Sequence, residues 1–410
     1  MSTTSAEPLQ TPAAAGTRHL PLLLANLAMV AGTYAFVAIA GPLARRMHLE
    51  PLHIGAVIAS VGLVWIAAAP RWGRAADMRG RLPAMRASIV GFVASFLLLA
   101  GYVGWALLGD VSAMPPVWAS FAALLATRAA MGGCYAGLPV AATAWIADRT
   151  AADGRAAALA RFGAAGAVGM VIAPPLAGWL AGYDMTLALA VFALLPLAGL
   201  PGLRRLRDDG PRVARQAPPR LKPTDPRLRL PWCSAFALYS VVMIANSALG
   251  FYVIDRLQVG VHDASAAVGY TLGSAGIGLI AMQSVVGRLR RVAPRQWLRW
   301  GALVGGVGFV STLAVGPAQP LWMCASYLVA ACGMGAAFPA VAALASMRVD
   351  AHEQGACAGA MSVAQGLSMV IAPLAGSALY ELHPAAPFAA IGVVLAGVFV
   401  GTWRRGVPQA

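Results

Sequence analysis

Charge is what this chain has least of. Only 11% of its 410 residues are Asp, Glu, Lys or Arg, against about 25% in soluble domains. Apolar residues make up 59% and the mean hydropathy is +0.71. So little charge excludes a surface wetted on all sides, and the bulk solvent of this chain is lipid. Acids are scarcest: the fifteen Asp and Glu residues, and all six His, sit near the ends of apolar runs. Mid-run general acid–base pairs and metal cages therefore lack material. Cysteine is sparse too. Cys134, Cys233, Cys324, Cys332 and Cys357 are odd in number and show no C-x-x-C spacing, which argues against a disulfide or metal framework. With no nucleophile–base pair and no phosphate-binding glycine loop, an enzyme is excluded and neither cofactor nor metal is implied.

Present instead are apolar runs of about 20 residues, the length of a bilayer crossing. They fall near 20–44, 52–70, 83–108, 117–146, 156–182 and 185–203, then 231–254, 264–287, 296–316, 320–346, 356–381 and 385–403. The expectation is an all-α membrane protein of twelve transmembrane helices. The first run is too long for a signal peptide and reads as a retained helix.

The formal charge of +15 invites a nucleic-acid reading, but its distribution rejects it. Nearly all basic residues fall between runs that share the side of the termini, from Arg18 through Arg71–Arg86, Arg149–Arg161 and Arg204–Arg229 to Arg404. Arg45, Arg46 and Arg256 alone lie on the other side, and Arg128 lies within a run. This is the positive-inside pattern, and it puts both termini in the cytoplasm.

The phrase MVIAPPLAG at 170–178 returns as MVIAPLAG at 369–376, and Pro139 is echoed by Pro339 at nearly the same offset of about 200 residues. Two six-helix pseudo-repeats are expected. They divide the chain into a disordered cytoplasmic N-terminus at 1–19, one bundle at 20–203 and a basic, proline-rich cytoplasmic linker at 204–230. A second bundle follows at 231–404, with a tail at 405–410.

The loop GRAADMRGR at 73–81 resembles the signature G-x-x-x-D-x-x-G-R of the major facilitator superfamily, with Gly73, Asp77, Gly80 and Arg81 in register. Gly73 would admit a close neighbour, Gly80 a tight turn, and Asp77 a helix N-terminus or an arginine partner. The resemblance implies the major facilitator fold and a latch, with Asp77 facing the start of helix 11. ATRAAMGG resembles the R-x-x-x-G pattern of proton-coupled members, with Arg128 and Gly132 matching. Arg128 and, at the end of helix 7, Asp255 are the proton-coupling candidates. Snorkelling of Arg128, and a surface cap formed by Asp255 with Arg256, are the structural alternatives. Gly166, Gly169, Pro174 and Gly178 resemble the antiporter motif of exporters, with Pro373 as the echo; they would form a packed hinge.

In that fold helices 1, 4, 7 and 10 border the pathway, so Asn26, Tyr34, Arg128, Tyr135, Tyr239, Asn246, Tyr327 and Phe338 are candidate lining, joined by Met243 and Met334. One buried arginine among amides and hydroxyls favours a polar or anionic organic molecule. The drug/metabolite:proton antiporter branch implies a monomer in the bacterial inner membrane. It would export a small organic molecule, such as a drug or a siderophore, against protons. A proton-coupled importer, or a non-transporting receptor on the same fold, are the alternatives.

Overall fold

In a computed structural model the described residues are 12–108, 114–150, 152–206, 225–289, 291–350 and 353–403. Most of the linker and the tail lie outside them. Among the described residues the chain is helical, with no strand. We number the helices α1 Pro12–Arg46, α2 Pro51–Arg79, α3 Arg81–Leu107, α4 Val117–Arg149, α5 Ala152–Ala181 and α6 Met185–Arg204. There follow α7 Arg229–Leu257, α8 Val261–Arg288, α9 Pro294–Ser311, α10 Pro320–Ser346, α11 Gln354–Leu382 and α12 Ala386–Gly401. Ten of them are long and apolar enough to cross a membrane; α9 and α12 are the exceptions. Helix α1 begins at Pro12, inside the segment 1–19 expected to be disordered, and the fixed φ of proline suits a first helical turn; residues 1–11 lie outside the described ones.

Large apolar side chains such as Leu98, Trp118, Ile277 and Val393 stand exposed on the outside of the bundle. In water such a surface would be a liability; against acyl chains it costs nothing. Inside, the helices approach on small residues. A Cβ on Gly41 of α1 would lie 2.5 Å from the backbone of Gly250 in α7, so only glycine permits that crossing.

The packing partners of α1–α6 recur among α7–α12. Helix α1 lies on α5 as α7 lies on α11, α2 on α4 as α8 on α10, and α3 on α6 as α9 on α12. Between the two sets, α2 crosses α11 and α5 crosses α8, while α1 meets α7.

Helix α4 is not the uninterrupted helix expected from 117–146. It breaks at Ala136, three residues before Pro139. Proline has no N–H to give Tyr135, and the helical turn before it loosens. The released carbonyls are caught by side chains: Trp72 Nε1 donates to Gly133 O at 2.7 Å, and Ser88 Oγ to Cys134 O at 2.7 Å. Buried backbone in an apolar medium needs such partners. Pro339, the echo in α10, lies inside a helix that continues through it.

Candidate functional site: a cavity between the two helix sets

A cavity of about 630 Å³ lies where α1, α4 and α5 face α7, α8, α10 and α11. Asn26 and Tyr34 come from α1, Tyr135 from α4, Tyr239 and Asn246 from α7, and Tyr327 and Phe338 from α10; Met243 and Met334 also line it. Each was read from the sequence. Sequence reasoning missed Phe162 and Met170 on α5, Gln283 on α8, and Gln365 and Met369 on α11. The two glutamines carried a usable signal, being amides inside apolar helices, where a polar side chain normally faces a cavity or partner.

Arg128 is the correction. It does not line the cavity. The residue is 2% exposed, and its guanidinium lies over the Phe36 ring, 4.3 Å from the centroid, with Nη1 at 3.3 Å from the Met131 sulfur. Its Nε has no partner. Snorkelling is overturned as well, since the side chain stays buried between α4 and α1. With Arg128 outside, the described lining has no Asp, Glu, Lys, Arg or His, and the expected preference for an anionic molecule loses its cation. What remains is aromatic, thioether and amide chemistry suited to a neutral amphipathic guest.

Polar atoms here are of two kinds. Asn26 Nδ2 is committed, donating to Phe162 O at 2.8 Å and tying α1 to α5. Gly166 makes room for it, since a Cβ there would lie 2.9 Å from Nδ2. Tyr327 is uncommitted. Its ring packs edge-on to Phe309 at 5.6 Å, the residue is 3% exposed, and its hydroxyl has no partner. A buried hydroxyl without a partner costs about 1–3 kcal/mol, recovered only if a polar group is brought into contact with it.

The two copies of the MVIAP phrase occupy equivalent places. In α5, Gly169 packs on the Leu27 carbonyl of α1, and Gly178 packs on Ser265 and Gly269 of α8. Pro174 lines the cavity. In α11, the Pro373 carbonyl lies 2.8 Å from where a Cβ on Gly55 of α2 would stand. Both phrases therefore mark crossings between the two helix sets.

At the face opposite the arginine-rich helix ends, the sets are tied together. Arg45 of α1 donates to both Asp255 oxygens at 2.7 Å, and Tyr380 of α11 donates to Oδ2 at 2.7 Å. Leu52 N donates to Glu381 at 2.8 Å. Asp255 is thus an inter-helix anchor, outside the cavity lining. The expected cap with Arg256 is replaced by Arg45, because Arg256 donates to Leu313 O at 2.6 Å.

At the arginine-rich face, among the described residues, no such tie joins the signature loop to α11. Asp77 pairs with Arg81 at 2.6 Å, and Arg81 reaches Asp148 of α4 at 3.7 Å. Gly80 has φ 97°, so glycine is required at that turn. Gly73 does not serve close packing as expected; a Cβ there would find only Val140, at 3.8 Å. The end of the linker is bound to the second set, where Arg227 donates to Glu353 at 2.9 Å and holds the Asp225 carboxyl below the usual carboxylate range.

Long apolar helices around a neutral cavity, with the two helix sets tied together at one face, define a multi-pass membrane transporter of small molecules. The family model of the Major Facilitator Superfamily matches residues 22–373, and again 232–409, and the chain belongs to that family. It is 28% identical over 342 residues to a class G tetracycline resistance protein of Vibrio anguillarum, covering 80% of this chain and 81% of that one. It is 26% identical over 394 residues to human solute carrier family 67 member A1, covering 90% and 87%. In fold it is similar to an inward-facing bacterial homologue of the iron transporter ferroportin, with TM-score 0.69, 16% identity and coverage of 97% and 100%. It is likewise similar to the peptide transporter POT, with TM-score 0.72, 16% identity and coverage of 94% and 92%.

Proposed function

We propose that the chain exports a small amphipathic organic molecule from the cytoplasm of a bacterium across its inner membrane, in exchange for protons. The observation that carries this reading is the neutral, tyrosine- and amide-lined cavity between the two helix sets. Kinship with tetracycline resistance proteins favours outward drug movement.

In this reading the monomer crosses the bilayer twelve times as two six-helix pseudo-repeats, 20–203 and 231–404. The arginine-rich face, with both termini and the linker, is cytoplasmic by the positive-inside rule. The arrangement then corresponds to an inward-facing state, its outer ends held by Arg45, Asp255 and Tyr380. Asp255 is the proton-coupling candidate of this reading: without its tie to Arg45 and Tyr380 the outer ends would part to release cargo. Asp77 would pass to the start of α11 once the cytoplasmic ends close, with Gly73, Gly80 and Arg81 shaping the loop. Gly166, Gly169, Pro174, Gly178 and Pro373 would be the packed pivots. Arg128, a buried cation, would bias the first set electrostatically without touching cargo.

The test uses proteoliposomes with an imposed pH gradient and tetracycline as the first probe, followed by a panel of neutral amphipaths. Uptake into inside-out vesicles driven by an acid interior supports export. Accumulation driven only by the opposite gradient would make the chain an importer, and no gradient-dependent movement of any probe would leave the receptor reading.

A further inference from the structure

Beside the central cavity is a second, smaller one of about 280 Å³ inside the second helix set, towards the arginine-rich face. It lies between the start of α7, the end of α10 and the start of α11. Its walls are apolar, made by Ala235, Val341, Ala345, Ala358 and Met361. The two cavities share three residues: Tyr239, Phe338 and Gln365. Tyr239 and Phe338 stand ring to ring at 5.0 Å and 47°, so this pair forms the partition, and Gln365 of α11 forms its edge. Two of the polar residues around the side cavity, Gln354 and Ser346, are committed to each other. Gln354 Nε2 donates to Ser346 O at 2.9 Å, and Ser346 Oγ donates to Gln354 Oε1 at 2.9 Å. The central cavity, by contrast, keeps the unpartnered Tyr327 hydroxyl.

We infer that the side cavity is a subsite for the apolar arm of an amphipathic substrate whose polar body lies in the central cavity, with Tyr239 and Phe338 gripping the junction. The inference rests on the transport reading for its occupant and adds the shape of the molecule: a polar ring system carrying an alkyl or aryl arm. A compact polar solute would leave the side cavity unused. Burial of each additional methylene against Ala345, Ala358 and Met361 would strengthen binding until the space is full.

The test reads the subsite without turnover. In a background whose five native cysteines are replaced by serine, Gln365→Cys puts a thiol at the junction. Val363→Cys puts one on the outer face of the same helix, where residue 363 is 45% exposed. Alkylation rates are measured with N-methyl-, N-propyl- and N-hexylmaleimide, and the ratio of the two sites cancels partition of reagent into detergent. The ratio should rise at least about tenfold from methyl to hexyl, the gain expected from burying about two of the five added methylenes. Filling the side cavity from either of two exposed lining positions, Ala342→Phe on α10 or Ala358→Leu on α11, should flatten that rise. A ratio independent of arm length, or a rise that survives both filling substitutions, overturns the subsite. Absence of gradient-driven transport alongside the length-dependent ratio would sink the export reading and leave the subsite standing.

Discussion

Arg45 and Asp255, 210 residues apart in the chain, form a two-bond ion pair at 2.7 Å that joins the last turn of α1 to the last turn of α7. The pair is part exposed, 40% and 34%, so it contributes only about 0–1 kcal/mol to stability. The Tyr380 hydroxyl shares Oδ2 and adds a charged hydrogen bond, bringing the total near 1.4 kcal/mol, about tenfold in an equilibrium. A tie of that size is too weak to hold a fold and strong enough to hold a conformation.

Asp255→Asn should therefore leave the unfolding temperature within a few degrees and shift the conformational balance about tenfold towards separation of these ends. Spin labels in place of Arg46 and Gln258 would read a longer distance population. The swapped pair Arg45→Asp with Asp255→Arg should restore the short one. An unchanged distribution in Asp255→Asn would show that Gly41 and Gly250 close this face without help from charge.

Asp77→Asn tests the opposite face. In the present conformation Asp77, 35% exposed, meets Arg81 across the Gly80 turn between α2 and α3, and such a pair is worth about 0.5 kcal/mol. The variant should reach the membrane at normal levels with near-normal stability, and its transport should fall at least tenfold if Asp77 also has a partner when the cytoplasmic ends close. Wild-type transport rates would remove the latch from the scheme.

Arg128→Met separates stability from function. An unpaired buried cation is destabilising, and its replacement by an apolar chain of similar length is neutral or favourable. The Phe36 ring recovers part of the charge cost by a cation–π contact of about 1–2 kcal/mol. The expected result is an unfolding temperature equal to or above wild type together with lost transport. Full activity in Arg128→Met would make the arginine a packing residue.

How much of this was readable beforehand depends on whether a feature is local. The helices were, because a 20-residue apolar run has one solution in lipid, and Gly80 was, because a turn there needs positive φ. Tyr34, Tyr239 and Tyr327 were found as polar side chains on helices 1, 4, 7 and 10, which border the pathway in the resembled fold. Gln283 and Gln365 were missed although they carry the same signal, since attention went to helices 1, 4, 7 and 10 while α8 and α11 also reach the cavity. The rotation of α4 was not readable. A turn of the helix decides whether Arg128 meets cargo or Phe36, and in the folded chain it meets Phe36. Nor could any local pattern pair Arg45 with Asp255 rather than Asp255 with its neighbour Arg256.

Tyr327→Phe gives the sharpest reading of the central cavity, because folding and binding should respond in opposite senses. Removing a buried hydroxyl that has no partner relieves a desolvation cost of about 1–3 kcal/mol. The ring keeps its contacts with Phe309 and Phe388, so the empty protein should unfold at the same or a higher temperature. A cargo that uses this hydroxyl should bind about five- to tenfold more weakly, which corresponds to about 1 kcal/mol for one hydrogen bond. Equilibrium binding of a transported probe to purified wild type and variant measures one effect, and thermal unfolding without probe measures the other. If binding is unchanged while stability rises, the cargo leaves Tyr327 unused, and its polar recognition then falls to Asn246, Gln283 and Gln365.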